Sequence, residues 1–524
     1  MSSPMKSTTK TFLLLAAAFA LFSANACSSY SVSSFKLSKG DASFGNALPS
    51  DPQPYRAQAP DPALAARISR IESGLLPAVV IKGQPPVPMT VADRMAFHKV
   101  PGVSLAFFDH GQILWTRAYG IADVASKTPV TPDTLFQAAS ISKPVAALAA
   151  LRLVQDGKLS LDEDVNVKLK TWKVPENAFT AKDKVTIRRI LSHSAGLTVH
   201  GFPGYASDEP IPTVVQILNG EKPANTDPIR VDILPSTLWR YSGGGFVILQ
   251  TLMSDVTGKP FPQIMRELVL APAGMSRSTY EQPLPKNRAP EAAQAYRSLG
   301  NPVKGGWHTY PEMAPAGLWT TPSDLARMAM EVQNEYAGKS SKILSQDMAR
   351  QMLTKQFGTW GLGFGLESDG GKSSFSHSGG NEGYRCNVQT FTDSGQGLAI
   401  MTNSDTGGEL YEEIYRAVAK EYGWPGHQPV EHALIKMNPA SFAAYAGTYE
   451  ISGIGKIQIT FKSPILYVQA DPLGPDPIEL LPESSTNFFI LSGDITFNFH
   501  KDPTSTLSLT LHVYSQTFEA KKIS

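Results

Sequence analysis

The sequence predicts an α+β fold: an antiparallel sheet flanked by helices plus a helical domain, followed by a small all-β barrel-like domain. Strand patterns lie at 103–120 and again at 387–405, and helical patterns lie between them. Near the C-terminus, apolar and polar residues alternate at 457–461, 495–499 and 507–513. Such period-two patterning with short turns is typical of a barrel or sandwich.

The N-terminal residues are predicted to be an export signal and a linker. Lys6 and Lys10 precede the apolar run FLLLAAAFALFSA at 12–24, which is shorter than a membrane-spanning helix of about 20 residues. We therefore predict a signal peptide over 1–26, a linker over 27–65 and a periplasmic or extracellular location.

The bulk composition excludes some classes of function. The chain has 524 residues and a formal net charge of +1, without a polybasic run, so nucleic acid is not an expected partner. Its two cysteines, Cys27 and Cys386, form no metal-binding pattern, and no metal or organic cofactor is implied. Cys27 directly follows the signal segment and is a candidate lipid-bearing residue of a bacterial lipoprotein. The oligomeric state is not predicted.

The first ordered elements are a hairpin and an apolar helix. VSLAFFD (103–109) and QILWTRAYG (112–120) flank a short turn with Gly111, which is a hairpin signal. An apolar helix then follows Ser140 and ends before Gly157.

Helices and strands continue the pattern toward the C-terminus. Further helices are predicted at 246–258 and 322–338, strands at 387–392 and 397–405, and a helix at 409–423. The predicted domains follow from this order: they are 66–425, a linker over 426–440, and a β domain over 441–524.

Ser140 and Lys143 are the first candidates for chemistry. Residues three apart on a helix share one face, so the lysine amine can reach the serine hydroxyl. A lysine whose pKa is lowered by desolvation can take the proton that makes serine a nucleophile. The alternative from these residues alone is a capping serine with a lysine whose amine reaches solvent.

Two glycine-rich stretches are further candidates. In RYSGGGFVI (240–248), Tyr241 could relay a proton, and in FSHSGGNEGYRC (375–386), His377 could bind or protonate a substrate. We expect both stretches to be loops in which the backbone approaches a ligand closely.

The three stretches, in this order, resemble the serine β-lactamase and penicillin-binding protein superfamily, in particular its class C-like branch with D-aminopeptidases and esterases. The family pattern of Ser-x-x-Lys, Tyr-x-Asn and Lys-Thr-Gly or His-x-Gly is similar to SISK (140–143), YSG (241–243) and HSG (377–379) here. The likeness runs from about 66 to 423, and the tail from 445 is similar to a lipocalin-like domain.

The resemblance implies catalytic roles. Ser140 would form an acyl-enzyme, and Lys143 and Tyr241 would share general-base and proton-relay work. The N–H groups of Ser140 and Gly380 would form the oxyanion hole.

The resemblance also implies substrate-binding roles, for His377, Gly379, Gly380 and Gly243. His377 stands where β-lactamases have lysine, and Gly243 where they have asparagine, which disfavours β-lactams and substrates with a C-terminal carboxylate. Arg385 and Arg240 are candidates to restore a positive charge. His193 is interpreted as structural.

Competing functions remain open from the sequence. The leading hypothesis is an exported serine hydrolase of small esters, amides or D-amino-acid peptides. The alternatives are a true β-lactamase or D-Ala-D-Ala carboxypeptidase, and a non-hydrolytic cell-wall binding or sensor protein. The chain has no Gly-x-Ser-x-Gly motif, which disfavours an α/β-hydrolase.

Overall fold

The computed structural model describes most of the chain after its first sixty residues. The described ranges are 61–85, 87–452, 455–470, 474–502, 506–513 and 516–524. The predicted signal peptide, Cys27 and nearly all of the predicted linker lie outside them. Contacts among the described residues form two units, one of 61–66 with 92–411 and the other of 67–91 with 412–524.

The larger unit is built on a seven-stranded sheet in the order β4-β3-β2-β10-β9-β8-β7. Its strands are β2 (Gly102–Asp109), β3 (Gln112–Asp123), β4 (Thr128–Pro129), β7 (Gly365–Asp369), β8 (Lys372–Asn381), β9 (Tyr384–Phe391) and β10 (Gly397–Thr402). β2 pairs with β10, so the sheet joins strands from the two ends of this region, as predicted. A separate short pair, β5 (Phe136–Gln137) and β6 (Trp319–Thr320), lies in the same unit.

The first hairpin has the turn that its sequence favours. β2 and β3 pair from Gly102 opposite Gly120 to Asp109 opposite Gln112. The two turn residues, His110 and Gly111, have φ values of +48° and +75°. Two positive φ angles are characteristic of the type I′ turn, whose twist matches that of the strands it joins.

Helices occupy most of the segment between the strands of the sheet. The α-helices of the described chain are α1 (Pro62–Glu72), α2 (Val91–His98), α3 (Ser142–Gln155), α4 (Val165–Lys168), α5 (Ile187–Leu191), α6 (Val214–Asn219), α7 (Gly243–Thr257), α8 (Phe261–Met265), α9 (Met313–Ala316), α10 (Pro322–Tyr336), α11 (Gln346–Met352) and α12 (Gly407–Tyr422). None of the helices in the described part of the chain has the length and apolar character needed to cross a bilayer.

Helix α3 is a central helix of the larger unit. Every residue from Ser142 to Leu151 is buried, including the lysine in its first turn. A helix that is apolar on all sides is expected in the middle of a core rather than at its surface. Burial on all sides also explains why the apolar residues of this segment do not follow a single helical stripe in the sequence.

Two predicted glycine-rich loops are instead regular elements. The glycines at 243–245 form the first turn of α7, which begins after the N-cap Ser242. Residues 377–380 lie within strand β8, and the turn of that hairpin comes later, at 382–383. The prediction of loops at these two places was therefore wrong.

The smaller unit contains a closed eight-stranded barrel, which confirms the predicted barrel-like domain. Its strands are β12 (Gly447–Ile451), β13 (Gly455–Lys462), β14 (Ile465–Ala470), β15 (Gly474–Pro482), β16 (Asn487–Phe489), β17 (Ile495–Lys501), β18 (Leu507–Val513) and β19 (Gln516–Lys522). Neighbouring strands pair in antiparallel fashion, and β19 closes the barrel on β12.

A short strand pair adds the earlier part of the chain to this unit. β1 (Val79–Ile81) pairs in parallel with β11 (Val430–His432). Val79 also packs with Leu481 and Phe489 of the barrel strands. The segment 426–440, predicted as a linker, therefore contains a strand. The smaller unit also includes residues 67–91, which were predicted to belong to the first domain.

Candidate active site

Ser140 lies in a short 3-10 helix, Ala139–Ile141, immediately before α3. The residue before it, Ala139, has a φ of +49°, in the left-handed region. A non-glycine residue in that region is strained and persists only where the surroundings hold it in place. The serine therefore occupies a tight, strained turn at the entrance to a buried helix.

The residues after Ser140 are fixed by hydrogen bonds from distant parts of the chain. The Tyr280 hydroxyl donates to the Ser142 carbonyl at 2.7 Å. The Leu318 N–H donates to Ser142 Oγ at 3.0 Å. Because both partners are themselves buried, they hold the start of α3, and with it the serine turn, in one position.

Lys143 is 2% exposed, and its amine contacts the candidate nucleophile. Its Nζ donates to Ser140 Oγ at 3.0 Å and to the Pro315 carbonyl at 3.0 Å. Burial lowers the pKa of Lys143 from 10.5 to about 7. A large fraction of this amine is therefore neutral near pH 7 and able to accept a proton.

Tyr241 lies beside this pair. Lys143 Nζ lies 4.8 Å from the centre of the Tyr241 ring. Burial raises the pKa of Tyr241 well above its ordinary value, and a hydrogen bond with Ser140 opposes that rise. The phenol is therefore protonated at neutral pH, which suits a relay group better than a resting base.

His193 holds Tyr241 in position. The Arg240 N–H donates to the His193 carbonyl at 2.8 Å, and the Ser242 N–H donates to His193 Nδ1 at 3.2 Å. The His193 and Tyr241 rings are stacked with centroids 4.2 Å apart. The backbone on both sides of the tyrosine and the face of its ring are thus fixed by one histidine.

His377 lies in β8, near Tyr241, and is 5% exposed. Its ring centroid is 6.2 Å from that of Tyr241. Nδ1 donates to the Ser378 carbonyl at 2.6 Å. Burial, and after it the positive charge of Lys143, lowers the pKa of His377 to about 3, so this ring is neutral at physiological pH.

Gly379 brings strand β8 against the serine turn. A Cβ at this position would overlap the Ala138 carbonyl oxygen and the sulfur of Cys386, so only glycine fits. Cys386 is a free, buried thiol whose Sγ donates to the Ala138 carbonyl at 3.1 Å. Gly380, the next residue, pairs with Arg385 in β9.

Asn381 at the end of β8 connects three elements around the site. Its side-chain amide donates to Gln137 Oε1 at 2.7 Å and to the Ala316 carbonyl at 3.1 Å. Gln137 in turn donates to the His308 carbonyl at 2.8 Å. These bonds between buried groups join β5, β8 and α9, the last of which also carries the carbonyl that binds Lys143.

Gly243 has a different environment from the one expected of a substrate-binding loop residue. Its N–H donates to the His200 carbonyl at 2.9 Å. A Cβ there would meet the Phe202 ring. The position is therefore packed against neighbouring chain, and its glycine allows that close packing rather than opening a loop to a ligand.

The two candidate cations each have a carboxylate partner. Arg385 pairs with Asp405 at 3.0 Å and donates to the Asn381 and Tyr384 carbonyls, each at 2.8 Å. Arg240 pairs with Asp232 and donates to the Gly196 carbonyl. Both guanidinium groups are thus paired with a carboxylate, and that of Arg385 also lies beside Gly380, where a Cβ would be 3.5 Å from its Cζ.

Sequence reasoning missed several groups that complete the site. Trp360 lies 6.2 Å from Tyr241 and 5.6 Å from His377, measured between ring centroids. Trp239 lies 6.4 Å from Tyr241. No sequence pattern places Trp360 there, whereas Trp239 could have been suspected from its position two residues before the tyrosine.

The described residues hold no group of three or more histidine, cysteine, aspartate or glutamate side chains that could bind a metal ion. The site contains a serine hydroxyl in contact with a lysine amine that is largely neutral near pH 7, together with a protonated tyrosine and a neutral histidine. These groups are suited to acyl transfer, in which a serine attacks a carbonyl with the help of a base.

Two sequence families match the chain. The family described as "Beta-lactamase" matches residues 89–422, and the family described as "Domain of unknown function (DUF3471)" matches residues 431–523. The first range includes Ser140, Lys143, Tyr241 and His377, and the second includes the barrel strands.

Curated relatives cover much of the chain at low identity. The chain is similar to "Penicillin-binding protein 4*" of Bacillus subtilis, with 25% identity over 77% of this chain and 91% of that protein. It is also similar to "Esterase EstB" of Burkholderia gladioli, with 28% identity over 49% of this chain and 71% of that protein.

Solved structures share the fold. A penicillin-binding protein homologue from Pyrococcus abyssi superposes with a TM-score of 0.55 at 22% identity, covering 82% of this chain and 98% of that chain. The D-amino acid amidase from Ochrobactrum anthropi superposes with a TM-score of 0.52 at 23% identity, covering 63% of this chain and 97% of that chain.

Proposed function

Because the chain belongs to the beta-lactamase family of serine hydrolases, we propose that it hydrolyses small esters, amides or D-amino-acid peptides through an acyl-enzyme on Ser140. The contact between Ser140 Oγ and the buried amine of Lys143, at 3.0 Å, carries this proposal. A desolvated lysine beside a serine is costly to bury and has a clear use as a base.

Acylation uses each of the assembled groups. Neutral Lys143 takes the proton of Ser140 while Oγ forms a bond to the substrate carbonyl carbon. The N–H groups of Ser140 and Gly380 stabilise the oxyanion, a contribution of about 3 kcal/mol per donor in comparable sites. As the carbon–oxygen or carbon–nitrogen bond breaks, Tyr241 donates its proton to the departing alcohol or amine and takes the proton held by Lys143, which returns the lysine to its neutral form.

Deacylation reverses the proton transfers. A water molecule gives its proton to the same base, its oxygen attacks the ester carbon, and Ser140 Oγ leaves with a proton. Lys143 keeps a donor contact to the Pro315 carbonyl through both half-reactions, which fixes the amine while its charge changes. The raised pKa of Tyr241 favours the relay role for the phenol and leaves the base role to Lys143.

The substrate class has support from two directions. The relatives include proteins named as an esterase and a D-amino acid amidase. The neutral ring of His377, at the position where β-lactamases have a lysine, disfavours the alternatives that require a substrate carboxylate, namely a β-lactamase or a D-Ala-D-Ala carboxypeptidase. We also propose that the protein is exported, on the evidence of the charged and apolar residues within 1–26.

The test compares wild type with Ser140→Ala on p-nitrophenyl acetate and on a fluorophosphonate probe. We expect the substitution to abolish labelling and to lower kcat/KM by about 10³-fold or more, because the acyl acceptor is lost. Ser104→Ala is the matched control, since it removes a buried hydroxyl that has no hydrogen-bond partner among the described residues. Undiminished labelling of the Ser140 variant would refute the proposal, and a non-hydrolytic binding role would then be favoured.

A further inference from the structure

His377 has one ring nitrogen that the fold satisfies and one that it does not. Nδ1 contacts the Ser378 carbonyl at 2.6 Å, and because a carbonyl can only accept, Nδ1 carries the proton. In the neutral ring Nε2 then bears a lone pair. This atom is buried and has no hydrogen-bond partner among the described residues.

An unsatisfied buried acceptor is unusual enough to require an explanation. Burying such an atom without a partner costs more free energy than a typical hydrogen bond contributes. The neighbouring rings do not provide a partner: Tyr241 and Trp360 lie 6.2 and 5.6 Å away between centroids. The position adjoins the Ser140 turn through Gly379, so a bound substrate is the natural source of a donor.

The polarity of nearby groups limits what that substrate group can be. His193 accepts the Ser242 N–H at Nδ1, so its neutral ring presents an N–H at Nε2. That nitrogen and the Trp360 indole nitrogen are also buried without partners among the described residues. The aromatic cluster around Tyr241 thus offers one acceptor and at least two donors, all uncharged.

We infer that His377 determines the substrate specificity of this site, by accepting a hydrogen bond at Nε2 from an uncharged N–H or O–H group of the substrate. An amide is the fullest match, because its N–H satisfies His377 while its carbonyl accepts from a neighbouring ring N–H. A carboxylate is disfavoured at this atom, because it has no proton to donate and its negative charge would face the lone pair of Nε2. This inference rests on the proposed acyl-transfer function.

The experiment uses mono-p-nitrophenyl esters derived from adipic and suberic acid, which share one leaving group. Their second carboxyl group is present as a carboxamide, as a methyl ester or as a free carboxylate. For the wild-type protein we expect kcat/KM for the carboxamide to exceed that for the methyl ester by about three- to tenfold. The carboxylate should be at least about tenfold poorer than the carboxamide, since it cannot donate a proton to Nε2 and leaves that acceptor unsatisfied.

Three variants separate the acceptor from the shape of the side chain. His377→Leu should reduce the carboxamide preference to about onefold, and His377→Gln should retain it, since its amide oxygen can accept. His377→Lys should shift the preference toward the carboxylate. Each variant is judged by the ratio of its kcat/KM values for two substrates, so a general loss of activity cancels. His512→Leu, on the exposed surface of the barrel, is the matched histidine control.

The possible results separate a failure of the role of His377 from a failure of the proposed hydrolase function. If hydrolysis of p-nitrophenyl acetate does not depend on Ser140, the proposed function fails. If hydrolysis depends on Ser140 but wild type prefers the carboxylate or shows no preference, only the role of His377 fails. A carboxamide preference that persists in His377→Leu would overturn it as well. Should that variant not fold, the wild-type ratios and His377→Gln decide.

Discussion

At the scale of single residues, the main result is the state of Lys143. Its distance in sequence from Ser140 is readable from the chain, because two residues three apart on a helix share a face. Its pKa is not readable, because the burial that lowers it depends on residues far away in sequence, such as those of α9 around Pro315. The same holds for His377, whose neutrality depends on burial and on the charge of Lys143.

The lowered pKa of Lys143 predicts the pH dependence of the reaction. The base must be neutral, so kcat/KM for a neutral ester should rise with pH and reach half its maximum at a pH of about 7. Lys143→Arg should lower kcat/KM by about 10²–10⁴-fold, because arginine stays protonated at every usable pH. Initial rates from pH 5 to 9 check both points, and a flat wild-type profile would assign the base role to another group.

At the scale of elements, the sequence predicted the hairpin β2–β3, the helices and the strands β9 and β10, because each has a local pattern. It failed at 243–245 and 377–380, where glycines suggested loops. Those glycines serve close packing: a Cβ at Gly244 would press on the Thr198 carbonyl, and one at Gly379 on the Ala138 carbonyl. Local patterns cannot show such contacts, since the partner residues come from other elements.

The contact at Gly379 predicts a strong effect of one methyl group. Gly379→Ala should separate β8 from the serine turn, because its Cβ would overlap backbone that cannot rotate away. A displacement of about 1 Å at a reacting group can cost about 10²-fold in rate, so we expect that loss or more in acylation. Gly408→Ala in α12, where a Cβ meets nothing, is the matched control. Equal activity of the two variants would show that β8 does not position the site.

At the scale of the whole molecule, the two units have separate cores. The larger core includes Leu148 of α3, and the barrel core includes Phe497 of β17. Period-two patterning predicted the barrel, but nothing in the sequence indicated that Val79–Ile81 pairs with strand Val430–His432. That pairing joins residues far apart in the chain, and three-residue strands have too little pattern to recognise.

Separate cores predict separable unfolding. Phe497→Ala should destabilise the barrel by about 3–5 kcal/mol, as expected for truncating a fully buried phenylalanine. In calorimetry it should lower the midpoint temperature of one thermal transition. Labelling of Ser140 should stay intact at temperatures below the midpoint of the other transition. Leu148→Ala should lower the second transition and the labelling together. A single transition that both substitutions shift equally would show that the two units unfold as one.

The interior of the barrel has a consequence for what that unit can contribute. Tyr449, Phe488, Phe497 and Phe499 are all buried in its core, so large rings fill the space that a transport barrel would leave for an apolar cargo. A hollow of about 70 Å³ instead opens beside Asn487, Asn498 and His512, polar side chains of its outer wall. Anything that this unit recognises must therefore contact the outer surface of the barrel and is not carried inside it.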